Sequence, residues 1–222
     1  MSELDKGELA TEQMFAMIGR AITQWSFVEH RLCSIFTVCA GDVVARQEEG
    51  LDFGDSGGQT AIFYSVENFR GKLLLIDAAI GHHVPTWTDW GTDIHAEWKK
   101  LRDKTRKLSL RRNKLAHHTV LPGFDYEEQT IEPRLVPPYG SPGYWRTASR
   151  QTESTQTLQH LTHLEHAFYL LEQKLNQFAY RIASQEELFD IYVELMVRRI
   201  RSHYQSDSRR AERLRSALPL AV

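Results

Sequence analysis

Between Leu158 and Phe178 the chain sets Leu158, Leu161, Leu164, Phe168, Leu171, Leu175 and Phe178 three or four residues apart without interruption. On a helix of about 3.6 residues per turn these side chains fall on one stripe. A stripe of that length must be covered, so the rest of the chain has to supply partner helices. Met14, Ile18, Ala21, Trp25, Leu32 and Phe36 repeat the pattern in a first helix expected from Thr11 to Ala40, with Thr11 as its N-terminal cap. A second helix is expected from about Thr60 to Gly81. A third starts near Thr92 or Asp93 and carries Ile94, Trp98, Leu101 and Leu108 up to a histidine pair at His117 and His118. The leucine seam belongs to a fourth, near Ser154 to Ala183, and "QEELFDIYVELMVRRIRSHY" reads as a fifth.

The segments between them break helices. Gly41 and the glycine-rich "ARQEEGLDFGDSGGQ" form a loop, and "HHVPTWTDWGT" a turn around Pro85 and Gly91. The stretch "LPGFDYEEQTIEPRLVPPYGSPGYWRT" holds five of the seven prolines, and alternation in "TIEPRLV" suggests a hairpin or an extended excursion. The expectation is an all-α protein: an antiparallel four-helix bundle over residues 1–183 with a Pro-rich extended or β-hairpin insertion at 119–153. A C-terminal helical extension covers 184–222. There is no internal repeat.

Composition narrows the function classes. A chain of 222 residues with net charge −2 can bury a real core, and its longest apolar runs are too short to span a bilayer. Two cysteines, Cys33 and Cys39, suit neither a disulfide scaffold nor a cysteine zinc site. With a polar, acidic N-terminal stretch, the expected compartment is the cytoplasm and no membrane partner is expected. The charge is uneven: Lys99 to Lys114 contains nine Lys or Arg residues against one acid, Asp103. Such a stripe is either a solvated helix face or a surface that follows a phosphate backbone.

Two charges stand on faces that should be buried. Arg112 shares a stripe with Ile94, Trp98, Leu101, Thr105, Leu108 and Leu115, and Glu29 lies within the stripe of Ile18, Trp25, Leu32 and Phe36. Either one buried alone would cost several kcal/mol. The simplest expectation is that they meet across the bundle, as a structural ion pair or as part of a site. Arg70 and Asp77 lie near the stripe of the second helix and suggest a wider polar layer. Asn113 and His117 are neighbours one turn apart on the flank of the third helix. A histidine in the last turn of a helix can act as general acid or base, and an adjacent arginine can stabilise phosphate charge.

The sequence Arg112-Asn113-Lys114-Leu115-Ala116-His117, ending the third helix, resembles the arginine, polar residue, histidine motif of the HEPN superfamily of helical bundles. The resemblance extends to the first helix, "ITQWSFVEHRL", and to the leucine-rich fourth. It implies a metal-independent endoribonuclease, often a toxin or antiviral defence effector, in which two subunits pair so that both motifs line one cleft. Arg112 would stabilise the phosphate, His117 would serve as acid or base, Asn113 would orient one of them, and Glu29 would position Arg112. Attack by the ribose 2′-hydroxyl would leave a cyclic phosphate. His118 satisfies the motif spacing as well as His117 does. Lys107, Arg111 and Lys114 are the expected RNA-binding residues, and RNA, a second subunit and an antitoxin or other protein are the expected partners. No cofactor or metal is expected. Some relatives are inactive, so a non-catalytic nucleotide- or protein-binding bundle is the alternative.

Other clusters are weaker. His160, His163 and His166 have a spacing that invites a metal, but they drift around their helix instead of converging. His82 and His83 read as loop residues before Pro85. Tyr139, Tyr144 and Trp145 could stack on unpaired bases or cover one end of the bundle.

Overall fold

The computed structural model describes residues 3–40, 57–125, 130–138 and 157–184. The expected C-terminal helix, the loop at 41–56 and the aromatic residues Tyr139, Tyr144 and Trp145 lie outside them. The described residues form α1 (Glu3–Cys39), α2 (Gly57–Ser65), α3 (Phe69–His83), α4 (Asp89–His117), β1 (Thr119–Asp125), β2 (Thr130–Val136) and α5 (Leu158–Ala183). The described residues are mostly helical, with one small antiparallel sheet of two strands among them.

Helix starts follow capping chemistry more closely than hydrophobic periodicity. Thr11 does not cap α1: the helix runs through it, and its hydroxyl turns back to donate to the Gly7 carbonyl at 2.8 Å. The expected second helix is broken in two, because Asn68 adopts an extended backbone and its side chain accepts from Gly71 N–H, starting α3 afresh. Thr88 caps α4 by accepting from Gly91 N–H at 3.0 Å, so Gly91 lies in the first turn of the helix and not in the turn before it. A β-carbon at Gly91 would lie 1.7 Å from the Pro85 carbonyl oxygen, so this close approach of the α3–α4 turn requires glycine. Thr157 caps α5 in a capping box completed by His160.

The stripes of α1, α3, α4 and α5 meet in one core. Trp25, fully buried, touches Phe69 of α3 and the edge of Phe168 of α5, and Trp98 of α4 stacks on Phe178. Further along α1, Glu29 meets Lys72 and Arg31 meets Glu172. Contacts that advance together along both helices mean that α1, α3 and α5 run the same way. Val84–Thr88 turns α4 back against α3, where Asp77 receives both the Trp98 N–H and Arg102. The antiparallel relation therefore holds for α4 against its neighbours, and not for α1 against α3 or α5. The physical reason is α2: it lies beside the C-terminal half of α1, with Phe63 stacked near Phe36, and returns the chain so that α3 begins next to Trp25.

The Pro-rich stretch contains the expected hairpin. Thr119 pairs with Val136 and Asp125 with Thr130, and Pro122 stands opposite Pro133. In a two-stranded sheet both strands are edges, where residues without an N–H are tolerated. The hairpin packs on α1, and Leu135 is fully buried there.

Candidate functional site

The carboxylate of Glu29 lies within the core stripe, and both of its oxygens are engaged. Oε1 accepts the Trp25 indole N–H at 2.9 Å, and Oε2 accepts from Lys72 Nζ at 2.8 Å. Lys72 is itself buried, with its ammonium 5.3 Å from the Phe63 ring centre and 5.2 Å from that of Tyr64. Burial, then the nearby Cys33 and Glu29, push the Tyr64 hydroxyl above its ordinary pKa. Sequence reading passed over Lys72, because it lies at the edge of the apolar stripe of Phe69, Leu73, Ile76 and Ile80 and not at its centre, as Arg112 does on α4. The wider polar layer is present through Asp77, which holds Arg102 at 2.9 Å, whereas Arg70 is exposed.

Arg112 reaches the same carboxylate from α4, but last. Its Nη2 stands 4.0 Å from Glu29 Oε1, and its side chain remains 35% exposed. Nη1 donates to Asn113 Oδ1 at 3.3 Å, and the buried Nε has no hydrogen-bond partner among the described residues. A guanidinium carries five N–H donors in a planar fork. Here one is spent on Asn113, and the Glu29 contact is at the outer limit of an ion pair. The expected Glu29–Arg112 pairing is thus present as the loose edge of a cluster whose tight pair is Glu29–Lys72.

Asn113 and His117 are both exposed, one turn apart on the flank of α4. Of the two, Asn113 touches Arg112, its amide oxygen accepting from the guanidinium on the exposed side. Measured around the helix axis, Arg112 and His117 leave α4 about 140° apart. The two histidines occupy different environments. His117 ends the helix in solvent. His118 is the capping residue, its backbone N–H donating to the Lys114 carbonyl at 2.9 Å. Its ring is half-buried, with Nδ1 lacking a hydrogen-bond partner among the described residues, and its pKa is lowered by burial first and then by the Lys114 ammonium. The Lys114 carbonyl pulls the other way and is outweighed.

Lys107, Arg111 and Lys114 are exposed on α4. His160, His163 and His166 do not form a metal-holding group. His160 takes part in the α5 capping box, His163 is exposed, and His166 stacks near Tyr169. Among the described residues no group of three or more His, Cys, Asp or Glu could hold a metal ion, and no helix is long and apolar enough to cross a membrane. No family model, curated protein or solved structure matches this chain.

Proposed function

We propose that the C-terminal turns of α4 form the active site of a HEPN-like, metal-independent endoribonuclease of the toxin or defence class. The observation that supports this most is the unspent donor capacity of Arg112, beside exposed Asn113 and His117. A partly exposed guanidinium whose carboxylate neighbour is already satisfied by Trp25 and Lys72 is free to take a phosphate oxygen. In this reading Arg112 stabilises the charge that develops on the phosphate, and Asn113 holds the guanidinium toward solvent. His117 transfers the proton of the attacking 2′-hydroxyl or of the leaving oxygen. Glu29 and Lys72 act as positioning residues behind Arg112. Because one α4 directs Arg112 and His117 to different sides, a homodimer bringing two motifs into one cleft completes the site. HEPN resemblance at Arg112 to His117 and the mostly helical architecture are the grounds for the family reading.

The test is incubation of a mixed single-stranded RNA and tRNA pool with the protein in EDTA, beside Arg112→Ala and His117→Ala, each checked for fold and oligomeric state. Cleavage leaving cyclic phosphate ends, lost in both folded variants, is the expected result. The angular separation of Arg112 and His117 favours a second reading, a non-catalytic binding or dimerisation bundle. Intact RNA with a folded, dimeric wild type would select it.

A further inference from the structure

The outward face of α4 carries a feature that the catalytic reading does not use. Lys100, Lys104, Lys107, Arg111 and Lys114 recur at four- and three-residue steps. At about 100° per residue all five fall within an arc of about 80°, on the side of α4 away from Trp98 and bordering the core stripe at Lys104. They extend over about 21 Å of helix at 1.5 Å per residue. Four are exposed and Lys104 is half-buried. Among the described residues none of the five is in an ion pair. The one acid within this span, Asp103, is 3.6 Å from Arg102 and so already faces a cation. Asp93, two turns before Lys100, closes the cationic face at that end. At the other end Lys114 is followed three residues later by His117, its neighbour on the helix surface.

We infer that this ridge is a binding track for the phosphate chain of a single-stranded nucleic acid, leading it along α4 from Lys100 to His117. Charge complementarity selects a polyanion, and the shape selects one strand. A duplex that accepted α4 in a groove would place phosphates on both flanks of the helix, whereas these five cations run along its crest, and Lys99 and Arg106 add exposed charge on one flank only. An A-form RNA duplex has a major groove too narrow and deep for such an element. Single strands are bound by tracks of cations along the backbone with little sequence preference. Exposed Leu110, on the flank next to Lys107 and Lys114, gives a base or sugar an apolar surface to lie against. The inference rests on the ribonuclease reading only in taking His117 as the end of the track.

The experiment uses the full chain and a fluorescein-labelled oligothymidine DNA strand, which has no 2′-hydroxyl and so cannot be cut by the proposed chemistry. Fluorescence anisotropy is followed from about 50 to 200 mM NaCl; five neutralised phosphates give a log–log slope of about −3.5 for a single strand. Lys104→Gln, Lys107→Gln and Arg111→Gln combined should weaken binding about tenfold or more at the lowest salt and reduce the slope to about −1.4. The control is Arg70→Gln with Lys174→Gln, exposed cations on α3 and α5 away from the ridge, which should leave both values unchanged. Thermal unfolding by circular dichroism confirms that both variants fold. Equal weakening by the control, equal binding of the annealed duplex, or binding to phosphatidylserine vesicles in place of the strand would overturn the inference. Oligothymidine binding by the ridge together with no RNA cleavage would sink the nuclease reading alone. RNA cleavage without ridge-dependent binding would sink the track alone.

Discussion

Lys72→Met and Arg112→Met, compared in one urea titration, separate the tight partner of Glu29 from the loose one, which the proposed function requires to be free for phosphate. Methionine keeps most of the alkyl volume and removes the charge. At Lys72 the loss strands Glu29, whose side chain is 20% exposed and whose tight ion-pair partner at 2.8 Å is gone. Removing one member of a fully buried pair costs about 3–5 kcal/mol. Glu29 retains the Trp25 N–H and some contact with water, which brings the expected cost to about 2 kcal/mol. At Arg112 the partner is 4.0 Å away and the side chain is 35% exposed. Solvent screening then limits the loss to about 0–1 kcal/mol. For an m value of about 2 kcal/mol/M the Lys72 variant should unfold about 1 M earlier in urea, and the Arg112 variant within about 0.5 M of wild type. Pairing each change with Glu29→Gln in a double-mutant cycle should give a larger coupling for Lys72 than for Arg112. If Arg112→Met is as costly as Lys72→Met, Arg112 is a core staple, and the case for its free donors collapses.

Gly91→Ala forces a β-carbon against the Pro85 carbonyl oxygen, so it should destabilise by about 3 kcal/mol, read as a lower thermal midpoint; a midpoint within a degree or two of wild type would contradict the geometry. His118 and His83 both have lowered pKa values, chiefly through burial, so the unfolded chain binds protons that the folded chain does not. Their stabilising contribution is complete above the unfolded value of about 6.5 and declines as pH falls below it toward the folded values, so urea midpoints should drop between about pH 7.5 and 5. His118→Gln should flatten part of that slope. Cys39 is buried, with its thiol pushed up to about 12, so iodoacetamide at pH 8 should modify it only through unfolding. Mass spectrometry of that residue should show labelling that accelerates with urea, and rapid labelling of the native protein would be the contrary result.

Core stripes were legible in the sequence because burial imposes a period, and the seam from Leu161 to Phe178 is buried. Helix ends were less so. Thr11 and Thr88 are both threonines ahead of a helical pattern, yet one caps and the other sits mid-helix. The difference lies in the preceding backbone, which a local pattern does not specify. Helix direction was hidden for a related reason: it depends on where α2 returns the chain, and α2 has little periodicity of its own. The Glu29 cluster was half legible. A charge in an apolar stripe announces that it needs a partner but does not name one, and among Arg70, Lys72, Arg102 and Arg112 the choice is made by distances across the bundle.

That choice bears directly on function. Glu29 could have been the counter-ion of Arg112, which would have left the motif arginine neutralised and its fork occupied. Instead Trp25 and Lys72 take the two carboxylate oxygens, and Arg102 goes to Asp77 one layer away. Each tight cation–carboxylate contact of the inner layer is made by a residue outside the motif, and Arg112 is left at the rim with Asn113 drawing it outward. Fixing an arginine without saturating it is the electrostatic condition for binding a phosphate.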